Sequence, residues 1–146
     1  MVKTIFWGMF GAIIATLSVE ASERFVQKIK LPTGQMVVVS EGEFEARSLG
    51  SFSIRLYQAA PPTDETTFFI SGLVSERDGV VEKLVLADID GDAETEIIVV
   101  VRSVGTGSYL SVYAFGVDQK MTLVPVASVT GLSAAADPVA VLRNLE

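Results

Sequence analysis

Residues 102–113, RSVGTGSYLSVY, gather hydroxyl groups and a tyrosine around two glycines. Gly105 and Gly107 have no Cβ, so the backbone between them is free to reach positive φ and to approach a foreign surface closely. Thr106, Ser108 and Tyr109 carry hydroxyls that both donate and accept hydrogen bonds. The chemistry this set suits is recognition, by polar groups on a backbone slim enough to enter a narrow cleft. Arg102, Ser103 and Ser111 flank the loop as secondary binding candidates, Arg102 through a charge-assisted pair with a carboxylate. The same composition also describes an ordinary turn, in which glycine relieves strain and hydroxyls satisfy nearby backbone groups.

A second cluster lies at residues 88–96, DIDGDAETE. Asp88, Asp90, Asp92 and Glu96 place oxygen ligands at alternate positions around Gly91, the way a short loop wraps a calcium ion. The register resembles the calcium loop of integrin-type propeller repeats, with Ala93 in place of a common glycine. Position twelve is Val99, so the loop is not an EF-hand, and one copy cannot build a propeller. The competing reading is an acidic hairpin turn whose aspartates bond local amides. Calcium is an optional ligand here, and no cofactor is required.

The chain contains no histidine and no cysteine. That removes the commonest catalytic base, the commonest metal ligand and the thiol nucleophile together. Asp88 and Asp90 do not make a hydrolase pair either, since alternate residues of a turn form no cleft and no aromatic platform accompanies them. A binding protein is the expectation, not an enzyme.

Before these groups can be positioned, the N-terminus must be set aside. Lys3 precedes IFWGMFGAIIATL, an apolar run too short to span a bilayer. It reads as a secretory signal peptide over residues 1–21, cleaved after Ala21, with an uncleaved anchor as the alternative. Residues 22–146 then form one domain, large enough to bury a core without disulfides. The formal net charge of −7 survives removal of the signal and argues against nucleic acid or an anionic membrane as partner.

Short segments of alternating apolar and polar residues, rich in Val, Ile, Phe and Tyr, recur from Phe25 to Val129, which predicts an all-β domain. Phe52, Ile54 and Leu56 fall on one strand face; Val80, Leu84 and Leu86 fall on another, interrupted by Glu82. The near-continuous apolar runs 36–39 and 97–101 suit strands covered on both sides. Turn chemistry at 32–34, 49–50, 61–64, 77–79 and 90–92 predicts reversals between antiparallel hairpins. Asp137 before Pro138 reads as the N-cap of a short C-terminal helix. The expectation is an antiparallel β-sandwich of about eight short strands. Residues 103–108 connect two of them, and Tyr113 and Phe115, on the face of Tyr109, belong to its core.

FVQKIKLPTGQ, VVVSEGEFEARSLGSFSIRLY, DETTFFISGL, LADIDGDAETEIIVVVRSVGTGSYLS and the terminal ADPVA together resemble the periplasmic inhibitors of invertebrate-type (I-type) lysozyme of Gram-negative bacteria. The resemblance implies a β-sandwich, typically a homodimer, located in the periplasm, with I-type lysozyme as its partner. It also implies that a Ser-Gly-x-Tyr loop blocks the lysozyme active site. The matching positions here are Thr106, Gly107, Ser108 and Tyr109, with threonine in place of the family serine. Threonine keeps the hydroxyl and adds a methyl. The rival expectation is a calcium-binding structural or adhesive β-module whose working part is the loop containing Asp88, Asp90, Asp92 and Glu96.

Overall fold

The structure, a computed structural model, describes residues 23–61, 63, 66 and 68–145. The expected signal peptide and Ser22 lie outside these residues, as do Pro62 and Asp64 of the expected turn at 61–64. Among the described residues no helix is long and apolar enough to cross a membrane.

Eight strands and one helix follow in chain order: β1 (Val26–Lys30), β2 (Met36–Glu41), β3 (Leu49–Tyr57), β4 (Phe69–Asp78), β5 (Val80–Ala87), β6 (Glu96–Arg102), β7 (Leu110–Val117), β8 (Leu123–Leu132) and α1 (Pro138–Arg143). They form two four-stranded sheets in the orders β1-β2-β3-β4 and β5-β6-β7-β8, with every pairing antiparallel. The expected all-β sandwich with a short C-terminal helix is the observed architecture.

Alternation builds the layer between the sheets. On β3, Phe52, Ile54 and Leu56 are fully buried, and the register sets Ile54 against Val39 and Leu56 against Val37 of β2. The facing sheet contributes Val81, Leu84, Ile97, Val99, Val101 and Phe115 to the same cluster. The Phe52 ring lies 5.6 Å from Tyr113 and 6.1 Å from Phe115, both tilted or edge-on, as aromatic quadrupoles prefer. Each such side chain contributes about 1.5–3 kcal/mol by leaving water.

β6 is apolar at successive positions because both of its faces are covered. Ile97, Val99 and Val101 point between the sheets. Ile98 and Val100 join a second cluster with Ile89, Leu110, Val112, Ala114 and Leu142 of α1. Asp137 caps this helix through Oδ1, which accepts from the amides of Val139 and Ala140 at 3.1 and 3.2 Å, and Pro138 opens it. The continuous apolar run of β2 has the same cause, since Met36 and Val38 are buried as well as Val37 and Val39.

Three local expectations differ from the structure. Leu49 and Gly50 begin β3 instead of turning. Residues 77–79 make no hairpin: β4 runs into β5 with only Gly79 between them, and the two strands belong to different sheets. Glu82 marks a register shift in the β5–β6 pairing, so Val81, not Val80, faces the core together with Leu84. A bulge adds a residue and inverts the alternation beyond it, which a strict period of two does not register.

Candidate functional site

β6 and β7 end at Arg102 and begin again at Leu110, leaving 103–109 as their connection. The ladder continues one rung further, because the amide of Ser103 donates to the Tyr109 carbonyl at 2.9 Å. Within the loop, the Ser108 amide donates to the Gly105 carbonyl at 3.3 Å, and Gly107 and Ser108 have φ of +102° and +48°. Gly107 alone of the two glycines takes positive φ. A Cβ on Gly105 would meet nothing within 4 Å, whereas one on Gly107 would lie 2.9 Å from the Tyr109 ring. The tyrosine thus folds back over the glycine, and its position needs Gly107 to be bare.

The tip faces solvent. Thr106 and Gly107 are exposed, and Val104 and Tyr109 keep 56% and 54% of their surface in water. These are large apolar areas for residues at the end of a hairpin. Behind the tip, Ser103, Tyr109, Ser111 and Tyr113 line a groove shared with Glu76 and Asp78 of β4. Burial pushes the Tyr113 hydroxyl above the ordinary phenol range; a hydrogen bond with Ser111 opposes that, and Glu76 and Asp78 add to it.

Arg102 is engaged within the chain. Its Nε and Nη2 hold both oxygens of Glu82 at 2.8 and 3.1 Å, a bidentate arrangement that fixes the guanidinium plane. Its Nη1 donates to the Ser108 carbonyl at 3.0 Å and reaches the Ala134 carbonyl at 3.5 Å. The arginine therefore braces the loop from beneath. Glu82, which the sequence offered only as a break in an apolar stripe, is the residue that makes this brace. Its signal was a carboxylate on the strand paired with the one that ends in Arg102.

The acidic loop 88–96 joins β5 to β6 at the other end of the same strand pair. Three of the four expected ligands come together: oxygens of Asp88, Asp90 and Glu96 lie within 4.8 Å of one another, and Asp92 is not in the group. The chain's own amides already engage these carboxylates. Asp88 accepts from Gly91 and Ala93 at 2.7 and 3.0 Å, Asp90 from Asp92 at 3.1 Å, Asp92 from Glu94 at 2.7 Å, and Glu96 from Ile89 at 2.8 Å. The Gly91 amide, above all, holds Asp88 below the ordinary carboxylate range. Burial raises Glu96, and the neighbouring aspartates raise it further. Loop 88–96 is thus a set of nested Asx turns that leaves a small acidic cluster at its mouth.

The family described as periplasmic lysozyme inhibitor of I-type lysozyme has a sequence model that matches residues 23–145. The chain belongs to this family. Two solved structures extend the comparison to three dimensions. PliI-Ah, the periplasmic inhibitor of I-type lysozyme from Aeromonas hydrophila, is 43% identical with a TM-score of 0.74, covering 81% of this chain and 98% of its own. A second structure, Aeromonas hydrophila PliI in complex with Meretrix lusoria lysozyme, is 42% identical with a TM-score of 0.73 and covers 82% and 96% respectively. A search of curated proteins finds no match to the chain. In this inhibitor family member, then, the exposed hairpin tip sits on a sandwich whose relative has been captured on a lysozyme.

Proposed function

We propose that this protein inhibits I-type lysozyme by inserting loop 103–109 into the active-site cleft, without chemistry of its own. The observation that carries the reading is the family relationship, with its 42% identical relative solved on a Meretrix lusoria lysozyme. The exposed tip supports the choice of loop. A retaining glycosidase cleft holds two carboxyl groups about 5 Å apart, one protonated and one ionised. Hydroxyls of Thr106 and Tyr109 answer both, donating to the ionised carboxylate and accepting from the acid. Bare Gly107 lets the backbone pass the cleft wall, and the Tyr109 ring covers apolar surface on which a sugar would stack. Substrate is excluded because its place is taken.

Under this reading the protein is exported to the periplasm by a signal peptide at 1–21, cleaved after Ala21, and acts as a homodimer. The periplasmic description of the family supports the location. Calcium in loop 88–96 is the alternative centre of function, favoured by the convergence of Asp88, Asp90 and Glu96. It has less behind it, because Asp92 stays out and internal amides occupy the carboxylates.

The test is lysis of bacterial cell walls by purified I-type, chicken-type and goose-type lysozymes in the presence of residues 22–146, with calcium or with chelator. Selective inhibition of the I-type enzyme in both media is expected. Inhibition of none of the three, together with a melting temperature that falls on chelation, would replace this reading with the calcium module.

A further inference from the structure

Loop 42–48, between β2 and β3, carries a phenylalanine wholly in solvent. Phe44 is 100% exposed and its φ is +60°. Neither feature helps the isolated chain, since a bulky residue rarely adopts a left-handed backbone and an aromatic ring is driven out of water wherever it can be. The loop is nevertheless tightly held. Arg77, only 2% exposed, donates from Nε to the Ser51 carbonyl at 2.9 Å, from Nη1 to the Arg47 carbonyl at 3.0 Å and from Nη2 to the Ala46 carbonyl at 3.0 Å. The Glu45 carboxylate takes the Ser51 amide and hydroxyl at 2.6 and 2.7 Å. Buried Glu41 receives the Val81 amide at 2.6 Å and Arg47 at 3.0 Å. A strained aromatic residue fixed by its surroundings is the pattern found where a protein grips a ligand.

Loops 42–48 and 103–109 meet at Gly79. The Gly79 amide donates to the Ser48 carbonyl at 2.8 Å. From the other side the Arg102 carbonyl oxygen and the Ser103 Cα come so near that a Cβ on Gly79 would lie 2.1 and 2.8 Å from them. Leu49, the residue after Ser48, lines the same groove as Ser103 and Tyr109. The two loops are therefore neighbours at one end of the sandwich.

We propose that Phe44 is a second anchor for the lysozyme engaged by loop 103–109, its ring resting on the apolar surface along the rim of the sugar-binding cleft. The proposal depends on the function argued above. A stable protein interface buries about 1,600 Å² in total, more than one short hairpin tip supplies, and aromatic residues, phenylalanine among them, are enriched where such interfaces exclude water. A cleft that holds sugar rings offers flat apolar faces, and a phenyl ring fits them as a pyranose face does.

The experiment measures the affinity of I-type lysozyme for the native protein and for Phe44→Ala, Phe44→Asn and Tyr109→Ala, with melting temperature and sedimentation of each. Both Phe44 variants are expected to lose about tenfold or more in affinity with no fall in melting temperature, because the ring has no internal contacts to lose and asparagine tolerates positive φ. Native affinity in both Phe44 variants, with Tyr109→Ala weakened, would overturn the second anchor and leave the inhibitor loop standing. Native affinity in all three would overturn both. A homodimer lost in the Phe44 variants, with lysozyme affinity per protomer retained, would assign the ring to a second copy of the chain and overturn the proposal equally.

Discussion

The ring of Tyr109 lies over Gly107, so near that a Cβ would come within 2.9 Å of it, on a backbone where φ is +102°. Both residues are needed for one shape, which separates their expected effects. Tyr109→Ala removes a half-exposed ring and is expected to weaken lysozyme binding by about 2 kcal/mol, roughly thirtyfold, with an unchanged melting temperature. Gly107→Ala forces the ring away and strains the backbone by about 1–2 kcal/mol, so binding and melting temperature fall together. Gly105→Ala, in open space and without positive φ, leaves the melting temperature unchanged. Calorimetric titration and thermal melting of the three variants check this. The glycines and hydroxyls made the loop between β6 and β7 legible as a connection, but the same composition suits an ordinary turn, so Thr106, Gly107, Ser108 and Tyr109 were singled out by resemblance to the family and not by composition. Glu82 and Phe44 were not legible. A carboxylate inside a strand reads as interruption and a phenylalanine reads as core, and only the tertiary arrangement shows one bracing Arg102 and the other standing in water.

Loop 42–48 has the same dependence on context at the scale of an element. Its conformation rests on Glu45, whose carboxyl is held below the ordinary range chiefly by the Ser51 hydroxyl, then by the Ser51 amide and by Arg77 and Arg24. A carboxyl lowered in the folded state stabilises that state above its unfolded value, and the contribution disappears as pH falls through the folded value. Glu45→Gln is therefore expected to melt below the native protein at neutral pH, with the gap closing as acid takes the pH below the ordinary carboxylate range. Parallel melting curves across that range check it, and a gap independent of pH would remove Glu45 from the role. The sequence placed a turn at Leu49 and Gly50, a few residues too late, because glycine is a strong turn signal when its neighbours are unknown. Here Gly50 is the second residue of a strand, at a point where a Cβ would fall 2.2 Å from a Glu45 oxygen. Close approach of a side chain, not reversal, explains the glycine.

At the scale of the whole molecule, the alternation in β3 and the unbroken apolar run of β6 were enough to foresee a sandwich with a doubly covered central strand. Which element covers the second face was not readable, because α1 is only six residues long and a single side chain, Leu142, is buried beneath it. Leu142→Ala should open a cavity over Ile98 and Val100 and destabilise the fold by about 2–4 kcal/mol, seen as a lower urea midpoint at unchanged slope. The folded fraction should inhibit as the native protein does, since the helix caps the sheet and not loop 103–109. An unchanged midpoint would mean that the helix is dispensable cover.

One glycine separates the sheets, and this has a consequence for how the chain comes together. Every strand pairs with a neighbour in sequence, so each half zips through short loop closures, the arrangement associated with rapid folding. Yet the apolar faces of β2 and β3 that meet the second sheet find most of their cover in residues beyond Gly79. During synthesis from the N-terminus the first half therefore waits, paired but greasy, for the second. The interval before residue 80 and its successors emerge is when this protein is most exposed to aggregation.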